Sequence, residues 1–149
     1  MKNTINEIKI SYKGGYKASS WHKVSNSREG AKLLYNSWDK DTIGIHETFK
    51  IALLNNNNMV KGIYQISQGG ITGTMVDLRL LFAVILKSLS VAIILSHNHP
   101  SGILKPSTED IKLTNKIKKA AELFNVRVLD HIILIPNGEY YSFADEGIL

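Results

Sequence analysis

Val91 to Leu95 is an unbroken apolar run, and it passes without a spacer into Ser96-His97-Asn98-His99-Pro100. A strand that is apolar at every position needs cover on both faces, as in the middle of a sheet. The chain must therefore build other elements around this segment. The polar residues that follow then stand at the end of a buried strand.

The flanking patterns supply candidate partners. Ile8, Ile10 and Tyr12 alternate with polar residues and predict a strand, which Gly14 and Gly15 break. Asn26 or Ser27 is a suitable cap for a helix running to about Trp38. Glu47 to Leu54 and Met59 to Ser67 read as two strands of a hairpin, joined by an asparagine run that tolerates positive φ. Gly69, Gly70 and Gly73 loosen the chain after it, and Thr74 with Asp77 resembles a capping box. The helix that follows, to about Leu89, is apolar almost all round and is expected to be buried on several sides. A further helix is predicted from about Thr108 to Phe124 and a strand over Val126 to Ile135. An Asn137-Gly138 turn leads into a short last strand around Tyr140 to Phe143. Interleaved strands and helices predict an α/β domain in two or three layers, with a mixed β-sheet flanked by helices.

His97 and His99 are two residues apart, and Pro100 biases His99 toward an extended conformation. In an extended chain, residues i and i+2 point to one side, so two imidazoles face one point at the end of the central strand. Helical periodicity places Asp110 on the face of Leu113, Ile117, Ala121 and Phe124, with Lys112, Lys116 and Lys119 elsewhere. An inward carboxylate is costly unless it is paired or metal-bound. Two histidines and one aspartate would leave an open position on zinc, as in a catalytic site. Ser107 and Asp110 also have the spacing of a plain N-terminal capping box behind Pro106, and a serine that caps can still point its hydroxyl at a site. Glu47 shares its side with Phe49, Ile51 and Leu53 and is the candidate general base, since burial raises a carboxylate's pKa. A strand-edge glutamate reaching water fits the same residue. Asp130-His131, in an apolar strand, reads as a hydrogen-bonded core pair in preference to an orienter of a metal ligand.

Composition narrows the chemistry. With no cysteine in the chain, disulfides, thiolate zinc clusters and a cysteine nucleophile are excluded, as is the Pro-Cys-x-x-Cys element of the zinc deaminases. There is no His-Glu-x-x-His, and 149 residues are too few for a (β/α)₈ barrel. The 18 basic and 13 acidic residues leave a formal charge of +5, which reads as solubility in preference to a nucleic-acid footprint because no arginine-rich run or aromatic interleaving accompanies it. The N-terminus lacks the apolar region of a signal peptide. The stretch from Leu80 to Leu95, interrupted by Lys87, Ser88 and Ser90, is too short for a membrane span. A cytoplasmic protein without membrane association is the expectation.

His97-x-His99-Pro100, six residues, Ser107, two residues and Asp110, with Glu47 upstream, resembles the signature of the JAMM or MPN-plus metalloproteases. His97-Asn98-His99-Pro100-Ser101-Gly102, Leu129-Asp130-His131-Ile132-Ile133 and Tyr141-Ser142-Phe143 are similar to the RadC-like branch. The resemblance implies a JAB/MPN-like domain related in fold to the cytidine deaminases. It implies zinc on His97, His99 and Asp110, Glu47 as general base, and Ser107 at the oxyanion of a tetrahedral intermediate. It also implies one domain over residues 1–149, with a core from about residue 26 and an N-terminal extension over 1–25, too short for the helix-hairpin-helix region that RadC proteins usually carry. The activity implied is hydrolysis of a peptide or isopeptide-type amide in a peptide or protein substrate. The alternative is a partner-binding or DNA-repair-associated module in which the metal is a staple. The loops from Gln68 to Thr74 and Ser101 to Lys105 are the candidates for specificity.

Overall fold

The computed structural model describes residues 4–9, 11–69 and 75–149. The expected central strand is β3 (Ala92–Asn98), and all seven of its residues are buried. It pairs antiparallel with β1 (Thr48–Leu54) and parallel with β4 (Arg127–Leu134). Outside these lie β2 (Val60–Gln68), beside β1, and β5 (Tyr140–Ser142), beside β4, giving the order β2-β1-β3-β4-β5. The sheet is therefore mixed, as expected.

Helix α1 (Ser27–Ser37) covers one face. Its Ala31 and Leu34, with Trp38 just beyond, pack on Ala52, Leu54, Ile94, Ile132 and Leu134. Helices α2 (Leu78–Lys87) and α3 (Thr108–Glu122) cover the other. Leu81, Ile85, Ile117 and Ala121 there meet Phe49, Ile51, Leu53, Ile93 and Leu95. Three layers result, and each fully buried aliphatic side chain of the sheet contributes roughly 1.5–3 kcal/mol. The parallel pairing of β3 and β4 requires a crossover, and α3 provides it.

Local chemistry explains the ends of these elements. Asn26 caps α1, accepting from the Glu29 amide at 2.9 Å. In the hairpin, the Asn55 side chain accepts from the amides of Asn57 and Met59, and Asn58 takes a positive φ of 57°. Asp77 caps α2 by accepting from the Arg79 amide at 2.8 Å. The Thr74 half of the expected box lies outside the described residues, as do Gly70 and Gly73.

One irregularity matters for the site. Ile93 opposes Val128 while Ile94 opposes Asp130, so Leu129 is an extra residue in β4. An extra residue reverses the inward-outward phase of a strand. Val128 and His131 thus both face the α2–α3 layer, although they are three apart. Asp130 turns to the α1 face, beside Ile94 and Ile132.

Three expectations are corrected. The described part of the Ile8–Tyr12 segment forms no strand; Ile8 is 90% exposed, and Ile10 lies outside the described residues. Alternation produces a strand only where backbone partners and a covering layer accompany it. Helix α2 is not buried on several sides: Leu81 and Ile85 are covered by the sheet, whereas Leu80 and Leu86 are exposed. The sheet, α3 and Phe124 cover its inner side, and the opposite side is left to solvent. Phe124, placed by periodicity on the inner face of α3, follows the end of that helix at Glu122 and is 48% exposed. No helix among the described residues is long and apolar enough to cross a membrane.

Candidate metal centre

Strand pairing brings the two halves of the site together. Phe49 of β1 lies opposite His97 of β3. Glu47 immediately precedes β1 and shares the side of Phe49, while His99 immediately follows β3 and shares the side of His97. The first turn of α3 lowers Asp110 onto the same point. Glu47, His97, His99 and Asp110 each present one donor atom, and these four atoms lie within 4.8 Å of one another. Nε2 of His97 is 2.9 Å from Nε2 of His99. Asp110 straddles the pair, with Oδ1 3.3 Å from His97 Nε2 and Oδ2 3.4 Å from His99 Nε2. Glu47 Oε1 stands 3.7 Å from His97 Nε2.

Each donor is held by structure outside the cluster. Nδ1 of His99 lies 2.8 Å from the Ile103 carbonyl and must donate to it, which leaves Nε2 unprotonated in the neutral ring. The His99 amide donates to the Leu134 carbonyl at 2.8 Å, extending the β3–β4 ladder. Ser107 and Asp110 form a full capping box: the Ser107 hydroxyl accepts from the Asp110 amide at 3.1 Å, and the Ser107 amide donates to Asp110 Oδ2 at 2.8 Å. The capping and site readings of this pair are thus one arrangement, because the cap aims the carboxylate. Ser107 itself is exposed. The His97 ring stacks on Phe49 with centroids 6.1 Å apart, and its Nδ1 lies 2.7 Å from Nε2 of His131.

Asn98 works from the opposite side of β3. Its Oδ1 accepts from the Thr48 amide at 2.7 Å, and its Nδ2 donates to the carbonyls of Ile43 and His46 at 2.8 and 3.0 Å. One buried amide thus pins the backbone on both sides of Glu47 to the strand that carries His97 and leads into His99.

Partial burial shapes the charges. Burial pushes the Glu47 carboxyl above its ordinary pKa, against the nearby histidines. Burial has the same effect on Asp110 but is overcome: hydrogen bonding to His97 and His99 holds its carboxyl well below the carboxylate range. Burial disfavours the His99 cation, yet hydrogen bonds to Asp110 and the Ile103 carbonyl prevail and raise its pKa. His131 is enclosed, and burial depresses its pKa well below that of a free histidine.

The expected core pair of Asp130 and His131 does not form between their side chains. As neighbours in a strand they face opposite sides, and the Leu129 bulge decides that His131 takes the α2–α3 face and Asp130 the α1 face. Asp130 instead accepts from the Ser142 hydroxyl at 2.6 Å and the Ala144 amide at 3.0 Å, tying down the C-terminal segment, and from the backbone amide of His131 at 2.7 Å. The His131 side chain instead meets His97, with its Nε2 2.7 Å from His97 Nδ1. Thr114 and Asn98 were not singled out from the sequence. A threonine one turn after Asp110 on the same helix is a readable signal for the first; nothing in the local pattern marks the second.

The donor set fits a divalent metal. Two imidazole nitrogens and a carboxylate held ionised are ordinary zinc ligands. The two Nε2 atoms, 2.9 Å apart, would repel without a cation or proton between them. A mixed sheet between helical layers, with this group at the end of its central strand, defines a JAB-family module bearing a possible metal site.

Comparison with known proteins agrees and is more specific. The RadC-like JAB domain family matches residues 24–148, and the chain belongs to that family. A UPF0758 protein of Flavobacterium johnsoniae is 52% identical over 103 residues, covering 69% of this chain and 44% of the relative. One from Porphyromonas gingivalis is 44% identical over 103 residues, covering 69% and 45%. One from Clostridium kluyveri is 43% identical over 135 residues, covering 90% and 57%. The chain thus spans about half the length of the curated relatives it matches.

Proposed function

We propose that this protein is a zinc-dependent metallohydrolase that cleaves a peptide or isopeptide-type amide. The observation that carries the reading is the convergence of Glu47, His97, His99 and Asp110 within 4.8 Å at the end of a buried strand. His97, His99 and Asp110 would hold the metal. Zinc bound there would supply Lewis acidity, polarising a carbonyl and lowering the pKa of water. Glu47 is the proton carrier: its carboxylate accepts a proton as water attacks the amide carbon and returns it to the leaving nitrogen. Its raised pKa suits it to both halves of that transfer. Ser107, at the cap of α3, is the candidate hydroxyl donor to the developing oxyanion. The choice of an amide rests on the resemblance to the JAMM enzymes.

Elemental mass spectrometry of the purified protein, beside His97→Ala and Asp110→Ala, tests the site. Near-stoichiometric zinc in the unsubstituted chain, lost in both variants, is the expected result. Glu47→Gln is expected to keep the zinc and lose turnover on peptide and isopeptide substrates by at least about 100-fold; retained turnover removes its assigned role. The net charge of +5 is the observation that favours a nucleic-acid-binding reading. Binding to DNA that weakens steeply with salt, in a protein without zinc, would favour it over hydrolysis.

A further inference from the structure

Beneath His97 runs a chain of buried hydrogen bonds that the proposed reaction does not use. The Thr114 hydroxyl lies 2.7 Å from the backbone carbonyl of Asp110, one turn earlier in α3. The same oxygen is 2.6 Å from Nδ1 of His131. His131 Nε2 is 2.7 Å from Nδ1 of His97. Phe143 stacks on one face of the His131 ring with centroids 4.6 Å apart, and Phe49 meets it edge-on at 5.6 Å.

We propose that Thr114 and His131 are positioning residues that fix the tautomer of His97, so that its Nε2 faces the metal with a free lone pair. This inference rests on the metal-centre reading given above. The direction of the chain follows from counting hydrogens. The Asp110 carbonyl can only accept, so the single hydroxyl hydrogen of Thr114 points to it. Thr114 Oγ1 then has only lone pairs to offer His131, and His131 Nδ1 must donate. The His131 ring is fully buried, its two nitrogens meet Thr114 and His97, and among the described residues no carboxylate pairs with it, so a cation there would be uncompensated. Its Nε2 therefore carries no hydrogen and must accept. His97 Nδ1 therefore donates, and the lone pair of that ring lies on Nε2, toward Glu47, His99 and Asp110.

The reverse polarity is disfavoured. It would leave Thr114 Oγ1 and the Asp110 carbonyl, two acceptors, 2.7 Å apart with no hydrogen between them. It would also place an N–H on His97 Nε2, where a metal ligand needs a lone pair. The relay closes a ring. Asp110 contributes its side chain to the cluster and its carbonyl to the chain that orients His97, so α3 holds two of the three ligands in one geometry. Partners of this kind commonly change metal affinity 10- to 100-fold when lost.

The test uses the full 149-residue chain and the zinc ion itself. Zinc affinity is measured against a competing chelator for the unsubstituted protein, Thr114→Val and Thr114→Ser, with circular dichroism checking the fold. Valine keeps the shape and removes the hydroxyl; serine keeps the hydroxyl. We expect Thr114→Val to lose roughly 10- to 100-fold in zinc affinity and Thr114→Ser to retain most of it. Unchanged affinity in Thr114→Val overturns the proposal, as does an equal loss in both variants. Histidine ¹⁵N shifts of the unsubstituted protein near pH 8 provide a second reading that needs no variant and no metal. Protonated Nδ1 on both His97 and His131 supports the relay; protonated Nε2 on His97 overturns it. An unsubstituted chain that takes no zinc would instead overturn the metal-centre reading, and the nitrogen shifts would still decide the polarity of the chain.

Discussion

Asp110 and His99 make the site sensitive to pH in opposite ways. Hydrogen bonding depresses the Asp110 pKa, so its contribution to stability is present above the ordinary carboxylate value of 3.8 and is lost only as pH falls toward the depressed value. The Asp110 partnership raises the His99 pKa, so protonated His99 contributes fully below its ordinary value of 6.5, and that contribution fades as pH rises through the higher folded value. Zinc must displace the His99 proton but finds Asp110 already ionised. The rise in melting temperature produced by zinc is therefore expected to grow from about pH 6 to pH 8, and to vanish on chelation. Thermal scans at several pH values with and without zinc check this; a zinc effect that shrinks over that range would contradict the assignment of His99.

At the level of elements, two contacts carry distinct predictions. Asn98 is fully buried and joins β3 to the segment around Glu47 through three hydrogen bonds. Asn98→Leu strands the Thr48 amide and two carbonyls, at an expected cost of roughly 2–4 kcal/mol. Zinc content is expected to persist, because His97 stays on β3 and His99 stays bonded to the Leu134 carbonyl, while amide exchange at Thr48 quickens. Denaturant unfolding and hydrogen exchange together read both effects. Helix α2 supplies the second case. Leu81 is fully buried and Leu80 is exposed, although they are neighbours of identical chemistry. Leu81→Ala is expected to cost about 2–4 kcal/mol and Leu80→Ala less than about 1 kcal/mol, by denaturant midpoint. Equal costs would show that the outer face of α2 is covered.

Across the whole molecule, the site is assembled from segments far apart in the chain: the entry to β1, the exit of β3 and the first turn of α3. What the sequence determined by itself was local and periodic. The apolar run at Val91 to Leu95 announced a covered strand, because a strand with no polar face needs cover on both sides. The spacing of His97 and His99 put them on one side, and the placement of Asp110 among the inward positions of α3 exposed a carboxylate in need of a partner. Those features depend on the two-residue and 3.6-residue periods, which any short stretch carries. What only the tertiary structure decided depends on register between distant strands. The extra residue Leu129 rotated His131 toward His97 and Asp130 away from it, and no property of either residue foretells which face it takes. Asn98 finds the Thr48 amide 50 residues away, a pairing that exists only once β1 and β3 are aligned. The outer face of α2, with Leu80 and Leu86, stayed exposed because no element among the described residues packs over it, and hydrophobicity reports a wish for cover rather than its presence.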